Sequence, residues 1–333
     1  MKTAMMNNIR FLYMSALIAC SAASAFAQLI PVLGSQRAGT AMGQFLKVGV
    51  GGRAVAMGEA FVAVANDASA LYWNPAGITL LDKNQAMFSH TEWPVDVRLD
   101  YVGYVHKLDE SNTLGLSITT LHTDEFEETT EYQPFGTGRF VSFSDLALGL
   151  SFARQMTDRF SFGGTLKYVD ETLDNLHARN LFIDFGIFFW TGFHSSRFAI
   201  SVTNFGTNME PSGSVELRNG TIVDDFQDFS PPTTFRFGFA SEVLERDEHK
   251  LTTAVQLNHL NDNAENVNWG IEYTWNKLLA LRGGYRFNVD EESLTFGGGL
   301  MLPLSVVDLN LDVSYTEFGR LGNATRLTAS ILF

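Results

Sequence analysis

The chain closes on Asn323-Ala-Thr-Arg-Leu-Thr-Ala-Ser-Ile-Leu-Phe333, and every second residue there, Thr325, Leu327, Ala329, Ile331 and Phe333, is apolar or uncharged. Alternation with a period of two marks a β-strand whose two faces meet different solvents. About ten residues is also the length at which a tilted strand crosses a hydrocarbon core. If this is a membrane strand, the rest of the chain must supply its neighbours.

From Gln85 onward it does, with about fourteen alternating segments separated by turn residues. Leu146, Leu148, Leu150 and Phe152 alternate with Ala147, Gly149, Ser151 and Ala153. Leu181, Ile183, Phe185, Ile187 and Phe189 alternate with a set that includes Asp184 and Gly186. Val267, Trp269, Ile271, Tyr273 and Trp275 face away from Asn268, Gly270, Glu272 and Thr274. Val307 to Tyr315 repeats the pattern, with Asp308, Asn310, Asp312 and Ser314 on the second face. Carboxylates inside strands are tolerable only where their face is wet or paired, so one face meets lipid and the other a polar lumen. The expected fold is all-β: a transmembrane antiparallel barrel of about fourteen strands, whose closure removes the unpaired edges of an open sheet. A soluble β-sandwich would alternate over shorter strands and carry more charge than the 18% found here.

The connections provide an independent check. With the C-terminus on the periplasmic side, short inner turns fall near Asp109 to Ser111, Thr157-Asp158, His194 to Ser196, Glu245 to His249, Asn276-Lys277 and Pro303-Leu304. The long loops, Leu121 to Arg139 and Phe205 to Pro232, then fall outside, as such barrels require. Trp93, Trp190, Trp269 and Trp275 lie near strand ends, where interfacial aromatic belts are expected. A last strand ending on an aromatic resembles that of bacterial outer-membrane barrels, whose assembly machinery reads such a terminus. The resemblance implies Phe333 as an assembly signal.

Composition fits. There is no apolar run of eighteen residues beyond the N-terminus, so no transmembrane helix is available. A net charge of −14 argues against nucleic acid as partner. Lys2 and Arg10 precede an apolar stretch from Phe11 to Ala19, and Ala25-Phe26-Ala27 offers a signal-peptidase site. Cleavage after Ala27 would remove two cations and no anions, taking −14 to about −16. Leu17-Ile18-Ala19-Cys20 also resembles a lipoprotein processing site, which would acylate Cys20. Either way the only cysteine is spent before the barrel, leaving no disulfide. The expected organisation is a signal peptide at 1–27, a periplasmic lead and luminal hatch at 28–84, and the barrel at 85–333, in the bacterial outer membrane.

Val48 to Leu81 breaks the strand pattern. Its glycines, small alanines and Asn74-Pro75 describe a tightly packed piece with one or two short helices, sized to fit inside a lumen. Gly51, Arg53, Met57 and Gly58, then Asp67-Ala68, then Asn74, Pro75, Ala76 and Gly77 resemble in order a motif of the FadL-like outer-membrane family, and more closely of its PorV/PorQ branch. The motif covers about a tenth of the chain. The resemblance implies a fourteen-stranded barrel with an N-terminal hatch. Arg53 is a permanent cation, and a buried guanidinium needs a carboxylate; Asp67, Asp184 and Asp312 are the candidates. Asn74 can cap a turn while Pro75 fixes the backbone direction.

Other chemistry is not indicated. Gly49 to Ala54 matches a dinucleotide fingerprint formally but lacks its βαβ context. The seven histidines have no metal spacing, and Ser89-His90, as neighbours in a strand, point to opposite faces. No cofactor, metal centre or enzyme activity is expected. Asp124-Glu125 and Asp224-Asp225 offer oxygen ligands for calcium but no loop signature; a solvated face, or divalent bridging to lipopolysaccharide, is the plainer reading.

Two functions share this architecture. Resemblance to PorV and PorQ, accessory barrels of the type IX secretion system, implies binding and shuttling of cargo that carries a C-terminal sorting domain. The outer-loop aromatics Phe126, Tyr132, Phe135, Phe205, Phe226 and Phe229 are the candidate contacts. The alternative is FadL-like passage of a hydrophobic small molecule through the wall, to which inward-facing Phe182 and Phe188 would contribute.

Overall fold

The computed structural model describes residues 38–217 and 220–333. The expected signal segment, with Cys20 and both processing sites, lies outside the described residues. The strands in chain order begin with β1 (Gln85–Trp93), β2 (Val97–Lys107) and β3 (Asn112–Thr123). Next come β4 (Phe126–Glu127), β5 (Phe140–Val141), β6 (Phe143–Thr157), β7 (Phe160–Leu173), β8 (Leu176–Trp190) and β9 (Arg197–Gly206). After β10 (Val215–Glu216) and β11 (Ile222–Val223) follow β12 (Thr234–Arg246), β13 (His249–Leu260), β14 (Asn266–Trp275) and β15 (Leu279–Phe287). The chain ends on β16 (Leu294–Pro303), β17 (Asp308–Glu317) and β18 (Asn323–Leu332).

Fourteen of these close into one antiparallel barrel in which β1 pairs with both β2 and β18. The remaining four form two small hairpins, β4–β5 and β10–β11, within the two long outer loops. The six short turns fall on the opposite rim, where the sequence places them. The backbone N–H of Phe333 donates to the carbonyl of Asn84 at 3.0 Å, tying the last residue to the start of β1.

The two faces differ as the alternation demands. Leu150, Phe152, Leu181, Phe185, Val313 and Leu327 point outward and are exposed, the surface that hydrocarbon covers in a membrane. Ser151, Thr165, Gln256, Asn268, Ser314 and Arg326 point inward and are buried. Water does not reach these inward groups because the hatch fills the lumen.

That hatch comprises a 3-10 turn (Gln44–Lys47), helix α1 (Gly52–Ala56), helix α2 (Ala70–Trp73) and a second 3-10 turn (Pro75–Leu80). Ala54, Met57, Phe61, Leu71, Trp73 and Ile78 are fully buried. Helices this short are not stable alone, so the wall holds them. It does so at close range: a Cβ on Gly163 of β7 would stand 2.5 Å from the carbonyl carbon of Pro75, and one on Gly284 of β15 would collide with the Gly58 backbone. Glycine at these wall positions is a requirement of hatch fit.

Two tryptophans depart from the expected belt. Trp93 shares its parity with Gln85, Ser89 and Thr91, so it turns into the lumen, edge-on to Phe318 at 4.6 Å and beneath the Arg326 guanidinium at 5.2 Å. Trp190 likewise faces inward, packed on Phe188 at 5.5 Å and Arg197 at 5.2 Å. Trp269 and Trp275 are exposed on the outer face.

Candidate functional site

The hatch is fastened by a chain of buried charges. Arg53 on α1 donates through Nε and Nη2 to both oxygens of Glu272 on β14, at 2.8 and 2.9 Å, and through Nη1 to Asp67 at 3.1 Å. Arg282 on β15 shares Glu272 at 2.6 Å and reaches Asp312 on β17 at 2.6 Å. Of the expected partners, Asp67 therefore meets Arg53, whereas Asp312 serves Arg282 and Asp184 serves Lys167 at 2.8 Å. Glu272 faces inward by its parity, but only the register of β14 brings it to Arg53.

Wall side chains also satisfy the hatch backbone, which its few helical turns leave unpaired. The N–H groups of Phe61 and Val62 donate to Gln256 Oε1 at 3.0 and 2.9 Å. Those of Gly52 and Gly58 donate to Thr328 and Thr295, both at 2.9 Å. Asn74 accepts from Ala76 N–H at 3.1 Å and donates to the carbonyls of Val62 (3.2 Å) and Ile187 (3.1 Å), so it caps the turn and bridges to β8. Gly51, Met57, Pro75, Ala76 and Gly77 pack around these bonds, and none of the motif residues reaches open space above the hatch.

That space is a cavity of about 710 Å³ at the outer mouth. Its floor is Gln44, Lys47, Val48, Gly49 and Glu59 of the hatch segment; its walls are the outer ends of β1, β2, β12 to β15 and the loop 288–292. One flank is apolar, with Trp93, Val95, Val97, Phe318 and Leu321. The other is polar. Arg286 lies 3.7 Å from Glu59 and bonds Glu292, and Lys47 pairs with Asp262 at 2.8 Å. Arg236 donates to Thr203 at 2.9 Å and lies over the rings of Tyr72 and Trp73, 5.7 and 5.4 Å from their centroids, with no ion pair among the described residues. Burial pushes the Glu292 carboxyl above the usual range, outweighing the pull of Arg286.

The sequence reading did not single out Phe318, Arg236 or Arg286, and it placed Trp93 in the interfacial aromatic belt rather than in the lumen. For Trp93 a signal existed, since it shares its parity with polar Gln85, Ser89 and Thr91. Phe182 and Phe188 face inward, as expected, and are fully buried, and neither lines the cavity. Phe126, Tyr132, Phe135 and Phe229 are exposed on the outer loops, Phe226 is half-buried, and none lines the cavity. Ser89 faces inward, bonded to Thr328 at 2.8 Å, while His90 faces outward. Among the described residues, no three metal-ligating side chains cluster.

The closed fourteen-strand barrel is FadL-like in fold. The toluene transporter TodX of Pseudomonas putida superposes with a TM-score of 0.58 at 13% identity, over 85% of this chain and 97% of that one. The toluene transporter TbuX of Ralstonia pickettii gives 0.57 at 12% identity, over 85% and 97%. A Pseudomonas aeruginosa FadL homologue gives 0.53 at 12%, over 85% and 96%. At such identities the likeness is one of fold. Residues 18–170 match an uncharacterised protein family (UPF0164), and no curated protein sequence matches the chain. The narrower likeness to PorV and PorQ finds no support in these comparisons.

Proposed function

We propose that this protein is an outer-membrane channel for hydrophobic small molecules, which it loads at the mouth cavity above the hatch. The observation that carries the reading is the cavity itself. It is of a size that takes a small organic ligand, one flank is apolar, and its floor is the hatch. A ligand seated there rests on Val48 and Gly49, beside the segment that must yield for passage. The FadL-like fold supports this reading over cargo shuttling for a type IX system. Residues 1–27 are proposed as the export signal and Phe333 as the assembly signal. Should a protein partner exist, we propose the exposed loop aromatics Phe126, Tyr132 and Phe135 as its contacts.

Calorimetric titration of the amphipol-held protein with toluene and with 1-octanol tests the proposal. Saturable binding is expected, weakened roughly tenfold or more by Phe318→Ala, which removes a buried aromatic worth about 1.5–3 kcal/mol. Absence of saturable binding by either probe overturns it.

A further inference from the structure

The outer wall is not smooth. Where β16, β17, β18 and β1 run side by side, a groove of about 740 Å³ is cut into the outward face. Its floor is set low by small residues, Gly298 and Ala329, and its sides are the exposed side chains of Phe88, Leu311 and Leu327 and the half-buried Leu300. The groove belongs to two rows of cross-strand neighbours. Phe88, Ala329, Leu311 and Leu300 make the inner row; His90, Leu327, Val313 and Gly298 make the outer one.

His90 is the anomaly in this belt. It stands directly opposite Leu327 on one side and Asp100 on the other, and its Nδ1 is 2.7 Å from Asp100 Oδ1. Charged groups on the lipid face of a barrel are costly, less so toward the interface. His90 lies one outward-facing position below Glu92, near the outer end of β1. With Nδ1 turned to Asp100, the ring has Nε2 left at the polar corner of an otherwise apolar groove. The face looks into hydrocarbon, so a chain of lipid is what can fill it. A molecule that also satisfies Nε2 must carry oxygen where its chain meets the interface.

We propose that this groove binds one outer-leaflet lipid, with an acyl chain over Gly298 and Ala329 and a lipid oxygen hydrogen-bonded to Nε2 of His90. The oxygen is a phosphate or ester acceptor when the ring is doubly protonated, and a donating hydroxyl when it is not. The proposal rests on the barrel's place in the outer membrane and not on transport, so failure of ligand binding at the mouth leaves it standing.

Native mass spectrometry of delipidated protein given dipalmitoyl phosphatidylethanolamine or dipalmitoyl phosphatidylglycerol tests it. One lipid should survive collisional activation on the wild type. Gly298→Leu fills the floor, and a Cβ there meets nothing nearer than the Ala280 carbonyl oxygen at 3.4 Å, so the strand admits the change. It should lower occupancy roughly tenfold, a shift of about 1.4 kcal/mol. His90→Leu should do likewise, and His90→Gln, which keeps a hydrogen-bonding tip, should retain the lipid. Gly164→Leu, an outward glycine on β7 whose Cβ would meet Asp184 O at 3.5 Å, is the matched control and should change nothing. Equal occupancy in all variants would mean unspecific annular lipid and overturn the proposal, as would lipid-free dimers joined through this face. Retained heat-modifiable migration on gels confirms that each variant is folded.

Discussion

Arg53 shows how a single residue can hold a domain in place. Its guanidinium joins hatch to wall through Glu272 and to the hatch itself through Asp67. Arg53→Ala should unseat α1 and raise single-channel conductance in planar bilayers; unchanged conductance would remove the fastening role. Glu272→Gln is the more severe change, since Arg53 and Arg282 would both lose their shared carboxylate. Breaking such a buried pair costs about 3–5 kcal/mol, which should appear as a lowered urea midpoint for the folded barrel in detergent. The need for a carboxylate beside Arg53 was legible in the sequence, and so was Asp67. Glu272 was not, because 219 residues separate the pair and only strand register decides which inward acid arrives.

At the scale of the strand, solvent contrast makes the pattern readable. Leu150 sits between Leu116 and Leu166 on the outward face of β6. Leu150→Lys should destabilise the barrel by about 2–4 kcal/mol, near the value for a midplane cation, measured by reversible unfolding in lipid vesicles. A smaller penalty would place this row nearer the interface. The hatch follows another rule, since its short helices exist only against the wall. Gly163→Val would push a side chain into Pro75, and overpacking of this kind costs about 1–3 kcal/mol. It should raise conductance as well as lower stability, whereas an effect on stability alone would mean that the hatch re-seats. Alternation and the glycine-rich break announced barrel and hatch, and β1 begins at Gln85 where the pattern begins. Inward Trp93 and Trp190 were read as belt residues because a position near a strand end looks the same whichever face it serves. The cavity was illegible for a further reason: its walls come from strand ends and loops far apart in the chain.

The whole molecule carries a net charge of −14, and its two long outer loops hold Asp124, Glu125, Asp224, Asp225 and Asp228. Some of this charge is locally neutralised, as where Arg98 meets Asp124 at 3.1 Å. The remainder gives the mouth a negative field that concentrates cations. Once Arg53→Ala opens a pore, its reversal potential in a potassium chloride gradient should show cation preference, diminishing in high salt as screening shortens the field. Anion preference would mean that the luminal arginines dominate instead.

The pairing of β1 with β18 makes the barrel a ring, and the hatch, which precedes β1 in the chain, lies inside that ring. A folded plug cannot be passed through a finished hoop whose contacts leave no gap at Gly163 or Gly284. Assembly is thereby constrained: helices that are stable only against the wall take their shape inside the lumen, so the plug is moulded in place rather than carried in as a finished piece.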